Sequence, residues 1–83
     1  MRVIISPLAQ RDIRRLSHDV AERVVAASRR LRENPRPPGC LLLRDYEPPT
    51  WRIRLGDWRV LYVIDDAAGV VTVTGVCHRS RAY

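Results

Sequence analysis

Eighty-three residues make one domain, because a chain this short buries only roughly 60 to 65% of the surface its unfolded form exposes and cannot divide that core. A composition of 46% hydrophobic and 29% charged residues excludes a disordered or fibrous chain, and no apolar run approaches the roughly 18 residues of a membrane span. Fifteen basic residues, all of them arginine, against nine acids give a net charge of +6 and a pI near 10.6, which points to a polyanionic partner.

The opening MRVIISPLAQ lacks the long apolar stretch of a secretory signal, so a cytoplasmic protein without a membrane partner is expected. Residues 2–5 form a β-branched run that reads as a strand. Ser6 and Pro7 then supply a capping hydroxyl and a proline where no amide hydrogen is needed, and a helix starts. Its apolar positions are Ala9, Ile13 and Leu16. The pattern breaks at Ser17-His18-Asp19, where Asp19 with Glu22 resembles a capping box. A longer helix follows with Val20, Val24, Ala27 and Leu31 as its apolar stripe.

The segment NPRPPGC, residues 34–40, is a connector, since three prolines remove amide donors and bias the residues before them toward extended backbone. Strands are expected at 40–44, 51–55, 58–64 and 70–77, with turns around Glu47-Pro48-Pro49 and residues 65–69. The expected class is therefore α+β: a single domain over 1–83, with an N-terminal strand and a two-helix hairpin packed on one face of an antiparallel meander. Cys40 and Cys77, with only His18 and His78 to help, are too few for a disulfide framework or a zinc site and read as free thiols.

Strand parity gives WRIRLGDWRVLY, residues 51–62, its chemistry. Residues two apart share a face, so Trp51, Ile53 and Leu55 point to the core and Arg52 and Arg54 away from it. A two-residue Gly56-Asp57 turn pairs Leu55 with Trp58, Arg54 with Arg59 and Ile53 with Val60. Arg52, Arg54 and Arg59 then share the uncovered face, and Arg54 opposite Arg59 is a like-charge pair that costs stability. Forked guanidinium groups bind phosphate with two donors each, so this face is read as an RNA-binding or other anion-binding surface. The tail adds His78, Arg79, Arg81 and Tyr83: a group that moves a proton near neutral pH, two further phosphate-binding arginines and a ring that can stack on a base.

The segments WRIRLGDWRVLYVID and VCHRSRAY, with the order of strand, two helices and proline-bearing loop before them, resemble the RelE/ParE superfamily of bacterial type II toxins, closest to its RelE branch. The resemblance implies a RelE-like fold and a metal-independent endoribonuclease that cuts messenger RNA in the ribosomal A site, without a cofactor, by attack of a ribose 2′-hydroxyl on the adjacent phosphate. It also implies a cognate RelB-like antitoxin and a hetero-oligomer with it. On this chain, Arg52 and Arg54 match a basic pair usually held by lysines, Arg59 the phosphate-binding arginine, Arg79 the arginine near the leaving group, and Tyr83 the tyrosine that orients the nucleotide. Arginine stays protonated, so the proton acceptor is left to His78, to the ribosome, or to no residue, with electrostatic stabilisation acting alone. The ParE branch, which shares the fold and blocks DNA gyrase without cutting RNA, and a degenerate nucleic-acid-binding member are the alternatives.

Overall fold

The computed structural model describes residues 1–81. The elements in chain order are β1 (Arg2–Ile5), α1 (Pro7–Arg14), α2 (His18–Arg30), β2 (Leu41–Leu43), β3 (Thr50–Leu55), β4 (Trp58–Asp65), β5 (Val70–His78) and a short 3₁₀ turn, Arg79–Arg81. Ser6 caps α1, its Oγ accepting the Ala9 amide N–H at 3.2 Å. Ser17, and not Asp19, caps α2, its Oγ accepting from the Val20 N–H at 3.4 Å. Ser17 has extended backbone and stands three residues before that donor, whereas Asp19 is already in the first helical turn, where its charge favours the helix dipole. Glu22 pairs instead with His18 at 2.8 Å.

The sheet runs β1-β5-β4-β3-β2. Strands β2 to β5 form the expected antiparallel meander. β1 joins β5 in parallel register, Arg2 beside Val70 through Ile5 beside Val73, so the sheet is mixed. β1 stops opposite Val73, and beyond it the carboxylate Oδ2 of Asp12 on α1 accepts the Val76 N–H at 3.0 Å. The helix thereby satisfies an edge that the first strand is too short to cover.

Both helices lie on one face. Ala9, Val24, Ala27 and Leu31 meet Ile53, Val60, Tyr62, Val71, Val73 and Val76 in one buried cluster. Each of Val24, Leu31, Val60, Val71 and Val73, at most 1% exposed, contributes about 1.5–3 kcal/mol by leaving water. Val71 and Val73 share a face with Val76, although the numbering has changed parity between them. The register passes from Leu61 opposite Gly75 to Tyr62 opposite Val73, so Thr74 is an extra residue in β5 that resets the alternation.

The proline-bearing connector is pinned over the helix-covered face. Tyr62, fully buried, donates its hydroxyl hydrogen to the Pro35 carbonyl at 2.8 Å, and its burial raises the phenol pKa well above the usual range. Arg36 lies over the Trp51 ring at 5.2 Å and reaches Asp66 with two hydrogen bonds, 2.9 and 3.4 Å. That pairing lowers the Asp66 carboxyl below its ordinary value.

Candidate nucleic-acid interface

The β3–β4 hairpin has the register that parity predicts: Arg52 opposite Leu61, Ile53 opposite Val60, Arg54 opposite Arg59 and Leu55 opposite Trp58. Gly56 opens the two-residue turn at φ +60°, a backbone region that glycine enters without steric cost. Trp51, Leu55 and Trp58 pack against the core beside Ile53, as expected of that face.

The three arginines of the other face differ. Arg54 is exposed, whereas Arg52 and Arg59 are only 5% and 9% exposed, which corrects the expectation of one uniformly open arginine face. For Arg59 the cause is local. Its Nη1 donates to the carbonyls of Gly56 at 2.8 Å and Trp58 at 3.0 Å, folding the side chain back over the turn. These bonds fix the guanidinium and do not use its Nε–H or Nη2 hydrogens, a ready fork for an anion.

Arg79 arrives at the same turn from the end of β5. Its amide N–H donates to the Asp57 carbonyl at 2.7 Å, and its Nε stands 3.6 Å from Asp57 Oδ1. Two participants were not read from the sequence. Asp57 brings a carboxylate to the arginine cluster, and Arg23 on α2 places Nη2 3.8 Å from where a Cβ on residue 56 would lie. Asp57 was visible as a turn residue, but its pairing with Arg79 depends on where the chain goes after β5. Arg23 lies off the apolar stripe of α2, and nothing in the helical pattern ties it to a turn more than thirty positions away.

His78 is not gathered with this group. It stands opposite Trp58, on the helix-covered face, while Cys77 stands opposite Arg59. The His78 ring meets Trp58 edge-on at 5.2 Å, and its Nδ1 lies 3.0 Å from the Ser80 hydroxyl and accepts the Ser80 amide N–H at 3.3 Å. Arg81 lines a cavity with Arg15, Trp58 and His78, apart from the hairpin arginines. Tyr83 lies outside the described residues. Burial, with the Asp12 carboxylate nearby, raises the Cys77 thiol pKa against a smaller opposing pull from Arg59. Among the described residues no three His, Cys, Asp or Glu side chains come together as metal ligands, and no helix is long and apolar enough to cross a membrane.

The arrangement can grip a phosphate between Arg54, Arg59 and Arg79, with one carboxylate beside them. Comparison with known proteins gives it a context. The family model of the ParE toxin of the type II toxin–antitoxin system parDE matches residues 3–83. Among solved structures, the chain is similar to one from the toxin–antitoxin complex RelBE2 of Mycobacterium tuberculosis, at 31% identity and TM-score 0.81 over 94% of this chain and 96% of that one. It is also similar to one from the archaeal RelE–RelB complex of Pyrococcus horikoshii, at 25% identity and TM-score 0.82 over 98% and 97%. The isolated RelE toxin of E. coli, 22% identical with TM-score 0.71 over 98% and 86%, shares the fold. No curated protein matches with significance. With a toxin family model spanning nearly the whole chain and RelE structures superposing along its length, the protein belongs to the RelE/ParE superfamily of type II toxin–antitoxin toxins.

Proposed function

We propose that the protein is a ribosome-dependent endoribonuclease that cuts messenger RNA in the cytoplasm and is held inactive by a RelB-like antitoxin. The observation that carries this reading is the meeting of Arg54, Arg59, Arg79 and Asp57 at one turn. The likeness to chains solved in RelE–RelB complexes supports it.

In this reaction the ribose 2′-oxygen attacks the adjacent phosphorus and the bond to the 5′-oxygen breaks, leaving a 2′,3′-cyclic phosphate and a 5′-hydroxyl. Arg59, locked by two carbonyls, binds the non-bridging oxygens as negative charge builds on them, the role in which a preorganised donor is most effective. Exposed Arg54 draws in the strand. Arg79 remains protonated, so it stabilises charge on the departing 5′-oxygen, which takes its proton from water. The 2′-hydroxyl proton goes to Asp57, the carboxylate that faces Arg79. His78 stands on the other face with Trp58, and this reading assigns it no part in the transfer. Arg52 and Arg81 contribute positive potential, and Tyr83, as the family pattern implies, contacts the nucleotide.

A second reading has its own support: the matching family model is that of ParE, and ParE-branch toxins block gyrase without cutting RNA. Expression of the chain alone in bacteria separates the two. Ribonuclease action yields new 5′-hydroxyl message ends inside translated frames, with gyrase supercoiling intact. Loss of supercoiling with whole messages would reverse the assignment.

A further inference from the structure

A second cavity, of about 580 Å³, lies between the end of α1, Trp58 and the end of β5, within the size range of small-ligand sites. Leu16, Val76 and the Trp58 ring give it an apolar wall. Two of its polar groups are fixed by the fold. Asp12 Oδ2 accepts the Val76 amide N–H at 3.0 Å. His78 Nδ1 accepts the Ser80 amide N–H at 3.3 Å, so the neutral ring carries its hydrogen on Nε2.

What these groups hold in reserve points to a ligand. Among the described residues no partner takes the His78 Nε2–H, the second Asp12 oxygen or the Trp58 indole N–H. Arg15 and Arg81, which also line the cavity, are exposed and enter no ion pair among the described residues. A carboxylate acceptor and an imidazole donor beside an indole suit the edge and face of a nucleobase. Two uncommitted guanidinium groups suit the phosphate attached to it. The 3₁₀ turn Arg79–Arg81 joins this cavity to the hairpin. Arg79 meets Asp57 on one side of the turn, and Ser80 and Arg81 line the cavity on the other. Three residues at a rise of roughly 2 Å each separate the two, so one strand of RNA can occupy both.

We propose that this cavity is a nucleotide subsite, which takes a base of the RNA strand beside the cut, splayed out against Trp58, with its phosphate held by Arg15 and Arg81. The proposal rests on the ribonuclease reading above. It gives His78 and Arg81 a binding task away from the hairpin arginines and makes the base at one position beside the cut a determinant of affinity.

The test is an NMR titration of the whole chain with a short single-stranded RNA whose 2′-oxygens are methylated, so that it binds without being cut. The Trp58 indole N–H signal is expected to shift together with the amides of Arg54 and Arg59. Arg15→Gln and Arg81→Gln, both at exposed positions, should each weaken binding about fivefold and reduce the slope of log affinity against log salt by about 0.7. Arg29→Gln, an equal loss of charge at an exposed position on α2, should change affinity less than about twofold. Hairpin shifts with an unmoved Trp58 signal, and both cavity variants binding like the parent, would overturn the subsite and leave the ribonuclease reading standing. An RNA that shifts neither region would overturn both. A free nucleoside monophosphate that shifts the Trp58 signal at the same concentration as the RNA would assign the cavity to a free nucleotide and contradict the proposal.

Discussion

Two arginine–aspartate contacts, Arg36 with Asp66 and Arg79 with Asp57, sit in different parts of the sheet and differ in every respect that matters for function. Arg36 grips Asp66 with two hydrogen bonds, at 2.9 and 3.4 Å, and stacks on Trp51, so its donors and its face are both committed. Arg79 touches Asp57 with one nitrogen at 3.6 Å. The first pair closes a connector onto the sheet. The second leaves guanidinium donors and a carboxylate open at a turn where Arg59 is already fixed and Arg54 exposed. The difference teaches that the tightly paired arginine has its hydrogen-bonding committed within the fold, while the loosely paired one is the arginine that the proposed function can use.

Five substitutions can break this contrast. Arg59→Ala should have the largest effect, a loss of roughly 10³-fold in message cleavage on top of a stability cost of about 1–2 kcal/mol from the two turn carbonyls that lose their donor, measured by end mapping and thermal unfolding. Asp57→Asn should lower cleavage by about 10²-fold. His78→Ala, in the same assay, should keep cleavage within about threefold. Equal losses in Asp57→Asn and His78→Ala would show that the two faces of the sheet are not chemically distinct.

On the structural side the readout is stability. Tyr62→Phe leaves the Pro35 carbonyl without its donor and should cost about 1 kcal/mol in denaturant unfolding, with cleavage unchanged. Asp66→Asn should have the smallest effect, since both partners of that pair are well exposed. Its sign is fixed by linkage. The folded carboxyl is lowered from 3.8, so the stabilisation is present above the unfolded value and disappears as pH falls through the lower folded one. The variant should therefore converge with the parent in strong acid and differ most near neutrality.

The hairpin was legible because two local rules agree there. Strand alternation separates Trp51, Ile53 and Leu55 from the arginines, and Gly56-Asp57 permits only one short register. The location of β1 was not legible, because a four-residue strand carries no signal for which edge it joins. The face of His78 was hidden for a sharper reason. Counted from Val71 and Val73, alternation puts His78 with the arginines. The extra residue Thr74 in β5 inverts that count and sends His78 to Trp58 instead. The fold-back of Arg59 and the Arg79–Asp57 contact are tertiary, and residue spacing does not encode them. The family likeness implied roles that spacing does not encode; the structure adds that Arg59 is held by two carbonyls, that Arg52 is buried and that Asp57 lies beside Arg79.

The most direct test of the central claim is cleavage of a defined message on purified ribosomes by the purified protein, with the new ends characterised chemically. The account predicts a cut at the A-site codon that leaves a 2′,3′-cyclic phosphate and a 5′-hydroxyl, nearly abolished in Arg59→Ala and reduced in Asp57→Asn. Intact messages with the unmodified protein, or cleavage that both variants retain, would contradict it.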